Sequence, residues 1–168
     1  MANLRIATVD DVQTISLIHA LSWKEAYKNT FSQEFLNSIQ NDRWVPFFTE
    51  HIQNQRFETA LLFKDGKATA CITYGKSRDE SLEDFAEIIS LYVLPECWSQ
   101  KQGYELMQFS IQRLKEQEFY QIYLWVLKEN KRAIQFYEKI GFANDGATTE
   151  VTMDNKILTD IRYRIALL

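Results

Sequence analysis

The chain has 168 residues, 46% hydrophobic, 25% charged and 14% aromatic, with five Gly and two Pro. That composition buries a sizeable core and excludes collagenous, low-complexity and disordered chains. Nineteen basic against 23 acidic residues leave a net charge of −4, so no overall positive field favours nucleic acid or an anionic membrane.

Residues 4–7 read as a short strand. Thr8, with Asp11 three positions on, is a capping-box pattern, and Val12, Ile15, Ile18 and Leu21 at helical spacing carry a helix toward Tyr27. Residues 32–52 read as a second helical region, broken near Asn41, Asp42 and Pro46. Two β-rich runs, 59–63 and 68–74, flank an Asp65-Gly66 turn and predict a hairpin. Residues 85–93 alternate and are rich in β-branched and aromatic side chains, predicting a longer strand that Pro95 stops. From Gly103 onward, Leu106, Met107, Ile111 and Leu114 predict an amphipathic helix. A strand over 119–127, a helix over 130–140 ended by Gly141, and two strands hinged at Asp154-Asn155 complete the chain. The order is β-α-α-β-β-β-α-β-α-β-β. No repeat or linker interrupts it, so a single domain over 1–168 is expected.

Cys71 and Cys97 lie in no metal or redox spacing and read as reduced thiols. His19 and His51 are isolated, so the sequence displays neither a metal site nor a Ser-His-Asp arrangement, and no metal is expected. The N-terminus carries no basic leader, and no window approaches the ~18 apolar residues of a membrane span. A cytoplasmic protein without membrane or nucleic-acid partners is the expectation.

A strand that enters a helix through a short loop presents free backbone N–H groups and the positive end of the helix dipole, a seat for phosphates. Trp98, Ser99, Gln100, Lys101, Gln102, Gly103 and Tyr104 occupy that position. Gly103 allows close approach of a ligand, and Lys101 adds a positive charge.

The next junction runs strand, Asn130, Ala133, Phe136-Tyr137, then Gly141-Phe142. With these six positions the chain resembles the GNAT superfamily of N-acetyltransferases, and residues 87–95 are similar to that family's central strand. The resemblance implies a mixed α/β fold of three layers, with a mostly antiparallel sheet splayed between two parallel strands that end near Val93 and Leu127. It implies acetyl-CoA as co-substrate, held by backbone groups of Leu91, Tyr92 and Val93, by the loop from Trp98 to Tyr104, and by Asn130, Arg132 and Phe136. Tyr137 is the implied proton donor to the departing thiolate. Asn130 also suits a helix cap. Glu87 stands six residues before Val93, where histone-modifying members carry a carboxylate base; an ion pair at a strand edge is its other reading, and withdrawal of the amine proton through ordered water is the alternative to a base.

Family loops resemble Arg/Gln-x-x-Gly-x-Gly/Ala. Aligning Gly103 with the last glycine puts Trp98 first and Lys101 at the middle glycine; the other register starts at Gln100 and sets Glu105 beside the phosphates. The first register keeps the distance from Val93. Lys128, Lys131 and Arg132 form a nearby basic group, readable either as phosphate contacts or as a solvated helix face.

Acceptor selection should fall to the first two helical regions, roughly residues 23–48, together with the loop before Phe85 and the terminal hairpin. In the helical regions Trp23, Tyr27, Trp44 and Phe48 suit a pocket or a core, and Glu25, Glu34 and Asp42 suit a cationic amine or a plain surface. The expected activity is acetyl transfer to a primary amine by direct attack in a ternary complex. The acidic, short chain favours a small-molecule amine over a protein amine. The alternatives are a catalytically degenerate acyl-CoA-binding or regulatory module of the same fold, and a partner-binding domain whose C-terminal strand pairs two copies into a homodimer.

Overall fold

The computed structural model describes residues 3–168. In chain order its elements are β1 (Asn3–Ile6), α1 (Val12–Ala26), α2 (Gln33–Ser38), α3 (Val45–Gln53), β2 (Glu58–Lys64), β3 (Lys67–Lys76), β4 (Ala86–Val93), α4 (Gln102–Glu116), β5 (Gln121–Leu127), α5 (Lys131–Ile140), β6 (Ala143–Met153) and β7 (Lys156–Ala166). The strands form one sheet in the order β1-β2-β3-β4-β5-β7-β6. Only β4 and β5 run parallel; every other neighbouring pair is antiparallel.

Local chemistry sets the element ends. Asp11 accepts the Thr8 backbone N–H at 2.8 Å, closing the capping box ahead of α1. The second helical region is two helices, because the Ser16 hydroxyl donates to the Asn41 carbonyl at 2.7 Å and accepts the Trp44 N–H at 3.0 Å, pinning the chain between α2 and α3. Asp65 and Gly66, at φ 51° and 78°, make the β2–β3 turn, and Asp154 and Asn155, at φ 52° and 55°, make the β6–β7 turn. Gly141 ends α5 at φ 116°.

Helices cover both sheet faces. On one, α1 and α3 set Ile15, Ile18 and Phe48 against Leu61, Cys71 and Leu94. Farther along that face, Trp23, Tyr27 and Phe31 pack with Leu36, Leu127 and Leu158. On the other, Leu106, Met107 and Leu114 of α4, with α5 beside them, bury Ile72, Tyr74, Ile88 and Leu124. Each such side chain contributes about 1.5–3 kcal/mol by leaving water.

The sheet opens at its centre. Pairing of β4 with β5 stops after Ala86↔Ile122, Glu87↔Tyr123 and Ile88↔Leu124, although β4 continues to Val93 and β5 to Leu127. The opening begins at a bulge: Thr73 pairs with Ser90 and Tyr74 with Ile88, leaving Ile89 as an extra residue in β4. Bulges bend the strand that carries them. Beyond Ile89, β4 follows β3 while β5 follows β7.

Among the described residues no helix is long and apolar enough to cross a membrane, and no three His, Cys, Asp or Glu side chains gather as a metal site. Cys71 and Cys97 are buried free thiols.

Candidate active site

In an antiparallel ladder alternate residues point both backbone groups at the same neighbour. The Leu94 N–H donates to Thr69, so Leu94 and Tyr92 face β3, whereas Leu91 and Val93 face the gap. This corrects the expectation for Tyr92, whose backbone is spent on the ladder. Val93 is half committed as well, since its carbonyl accepts the Ser22 hydroxyl at 3.0 Å and the Trp98 indole N–H at 2.8 Å. The groups left to a ligand are both backbone groups of Leu91 and the N–H of Val93.

Two cavities meet at this gap. The larger, about 910 Å3, lies between the C-terminal half of α1, the 97–104 loop and α5. The smaller, about 210 Å3, passes between the strands and is walled by Trp23 and Tyr27 from one sheet face and Ala133 and Tyr137 from the other. Leu91, Tyr92, Asn130, Ala133 and Tyr137 line both. Tyr137 thus stands at the junction, and burial, reinforced by Tyr27, raises its phenol well above the ordinary value. It keeps its proton at neutral pH and is available as a donor.

The loop at the other end is shaped for an anion. The first α4 hydrogen bond in the chain runs from the Glu105 N–H to the Lys101 carbonyl, so the N–H groups of Gln102, Gly103 and Tyr104 have no partner within the helix. Lys101 takes φ 65° and Ser99 φ 62°, the left-handed region that favours glycine. A Cβ on Gly103 would lie 3.4 Å from the Phe136 ring and 3.7 Å from Val93, so the three pack closely. The Arg132 guanidinium stacks 3.8 Å from the Trp98 ring centre, and burial lowers its pKa. Lys28, Lys101, Arg132 and Lys139 all line this cavity, against a single carboxylate, Glu25.

The larger cavity brings together Leu91, Tyr92, Val93, Trp98, Ser99, Lys101, Gln102, Gly103, Tyr104, Asn130, Arg132, Phe136 and Tyr137. Gln100 is not among them: its amide accepts from Lys64 and donates to the Glu96 carbonyl, outside the cavity. The Gln102 side chain turns inward to accept the Thr69 hydroxyl at 2.8 Å. Asn130 caps α5 through the Ala133 N–H at 3.2 Å and donates to the Tyr27 hydroxyl at 3.3 Å. Lys128 and Lys131 stay outside the lining, as does the exposed Glu105, so no carboxylate of α4 intrudes on the anion seat.

Glu87 requires a correction. It sits where β4 is still paired with β5, only 2% exposed, and lines neither cavity. Arg78 donates to it at 2.6 and 3.0 Å and the Tyr123 hydroxyl at 3.0 Å. The bulge at Ile89 separates it from the gap, and its carboxylate is held as an ion pair.

On the acceptor side Trp23 and Tyr27 line the smaller cavity, whereas Trp44 and Phe48 surround His19 in the core. Glu25 pairs with Lys28, and Glu34 and Asp42 line neither cavity. Val151, Met153 and Asp160, on the terminal hairpin that the sequence marks only as a whole, line the smaller cavity, as does Trp125 of β5, which the sequence reading missed. The available signal was strand alternation: Leu158 and Asp160 share a face of β7, so burying the first half-buries the second.

Residues 18–142 match the profile of the Acetyltransferase (GNAT) family. A spermidine N(1)-acetyltransferase of Thermoplasma acidophilum is 24% identical over 156 residues, spanning 91% of this chain and 96% of that protein. An uncharacterized N-acetyltransferase of Bacillus subtilis is 24% identical over 144 residues, 82% of this chain and 78% of that protein. In fold, the crystal structure of PaiA N-acetyltransferase from Thermoplasma acidophilum in complex with coenzyme A superposes with a TM-score of 0.74 at 20% identity, over 95% of this chain and 98% of that one. With the opened sheet, the anion-seating loop and a family match that runs through both, the chain belongs to the GNAT family of acetyltransferases.

Proposed function

We propose that the protein transfers the acetyl group of acetyl-CoA to a primary amine of a small molecule, by direct attack with both substrates bound. The observation that carries this reading is the β4–β5 gap with the Tyr137 phenol where the two cavities meet. The larger cavity suits acetyl-CoA: free α4 N–H groups with Lys101 and Arg132 meet phosphates, and Leu91 and Val93 offer strand-like pairing to amides. Acetyl-CoA supplies a thioester, an acyl group already activated for transfer.

A β4 N–H directed at the gap stabilises charge developing on a carbonyl oxygen, an effect of about 3 kcal/mol in other enzymes. Tyr137 gives its proton to the departing sulfur. The amine attacks neutral and without a covalent enzyme intermediate; the proton its nitrogen loses on forming the amide passes to water, and water returns one to the Tyr137 phenolate. The relative that acetylates spermidine supports a small amine acceptor, and the unpaired buried thiols suit the cytoplasm.

Calorimetry with acetyl-CoA, paired with thiol release over an amine library, tests the reading. Binding with release for at least one amine is expected; binding without release throughout would identify a module that holds the ligand without turning it over. Tyr137→Phe should lower kcat about 100-fold with acetyl-CoA affinity and melting temperature unchanged. Full turnover in that variant removes Tyr137 as the donor.

A further inference from the structure

The smaller cavity contains one carboxylate, Asp160, and among the described residues nothing in the chain answers its charge. Asp160 lies on β7 opposite Leu127 of β5 and Thr149 of β6. The nearest arginine along β7, Arg162, is bound to Asp145 at 2.7 Å. Burial, with Glu129 adding to it, raises the Asp160 pKa, as befits a carboxylate that lacks a cation. The Ser90 hydroxyl, on a residue lining the same cavity, is also buried without a partner. Beside the Asn130 amide, which is bonded to the Tyr27 hydroxyl and the Ala133 N–H, the surface is largely aromatic and apolar, with Trp23, Tyr27, Trp125 and Met153. An uncompensated carboxylate in such surroundings is stabilised by a ligand that brings the positive charge, and aromatic faces favour the same ligand.

Position decides which nitrogen that is. Neighbouring strands lie about 4.8 Å apart, and the whole of β5 stands between Asp160 and the gap that Tyr137 borders. Asp160 is therefore beyond hydrogen-bond reach of an amine attacking inside the gap. We propose that Asp160 anchors a second, non-reacting ammonium group, so that the acceptor is an alkyl diamine or longer polyamine lying with its methylenes against Trp23 and Trp125. This rests on the transfer reading above and deepens it. Asp160 is a specificity determinant; no proton of the transfer passes through it.

The test compares 1,4-diaminobutane with 4-amino-1-butanol, which keeps the reacting amine and replaces the far ammonium with a hydroxyl. In the unaltered protein kcat/KM for the diamine should exceed that for the amino alcohol about 10- to 100-fold, the range for a hydrogen bond to a charged group. Asp160→Asn should erase the preference through KM for the diamine, leaving acetyl-CoA affinity intact. Equal use of both acceptors by the unaltered protein, or a preference that survives in D160N, overturns the proposal. Quenching of tryptophan fluorescence by 1,4-diaminobutane against 1,4-butanediol reads the anchor without turnover. If no amine releases thiol, the transfer reading fails, and this arm still decides: diamine-selective quenching lost in D160N supports the anchor, and its absence sinks it. Should D160N not fold, the acceptor and quenching comparisons on the unaltered protein decide alone.

Discussion

His19 and Asp160 show how burial sets chemistry one side chain at a time. His19 is wedged among Trp44, Phe48 and Tyr92 with ring centres 5.5, 4.9 and 4.5 Å away, and its Nε2 has no partner. Burial pushes its pKa down from 6.5 to about 3. Between those values the unfolded chain binds a proton that the folded chain refuses, so stability falls as pH drops below 6.5 and the loss is complete near 3. The slope is about 1.4 kcal/mol per pH unit. His19→Phe should flatten that stretch in urea titrations at pH 7, 6 and 5; an unchanged slope would mean that other groups carry the acid sensitivity. The same scale explains what the sequence could not display. Glu87 stands at a suggestive offset, yet Arg78 and Tyr123 claim it, and Asp160 stands in no motif at all, yet has the cavity to itself. Partners brought from nine, 36 or more residues away decide a carboxylate's role, and such partners cannot be counted along a chain.

Elements were more legible, because their causes are local. The Thr8 capping box, the Asp65-Gly66 and Asp154-Asn155 turns, the Gly141 stop and the apolar spacing of α1 and α4 each act within a few residues, and each element falls where these signs put it. The division between α2 and α3 was only half visible, since Pro46 marks the start of α3 while the pin that holds the break is Ser16, far upstream. The bulge at Ile89 was not visible, because register depends on two strands together. The phosphate-type loop carries its own prediction. A side chain in the left-handed region costs about 1–2 kcal/mol, and Lys101 stands there at φ 65°. Lys101→Gly should raise the unfolding free energy by about 1 kcal/mol and make acetyl-CoA binding less sensitive to salt, one cation having gone. A loss of stability on denaturant titration would show that the lysine side chain contributes more by packing than its backbone costs.

For the whole molecule, the sheet behaves as two ribbons, β1 to β4 and β5 to β7, fastened by three residue pairs. A ligand that pairs with Leu91 and Val93 in the gap ties the ribbons together where the chain does not. Acetyl-CoA at 100 times its Kd should add about 2.7 kcal/mol, or roughly 5–10 °C in melting temperature for a chain of this size. Hydrogen exchange should slow at the Leu91 and Val93 amides first; protection confined to the 97–104 loop would mean that the ligand touches the rim and leaves the gap empty.

Ile89 is one residue more than β3 can match, and the aperture follows from that surplus. A doorway fixed by residue count owes nothing to the identity of the side chains around it. Substitution on its threshold can therefore exchange one guest for another while the frame stays as it is. Deleting Ile89, by contrast, would restore the count and close the frame on every guest at once.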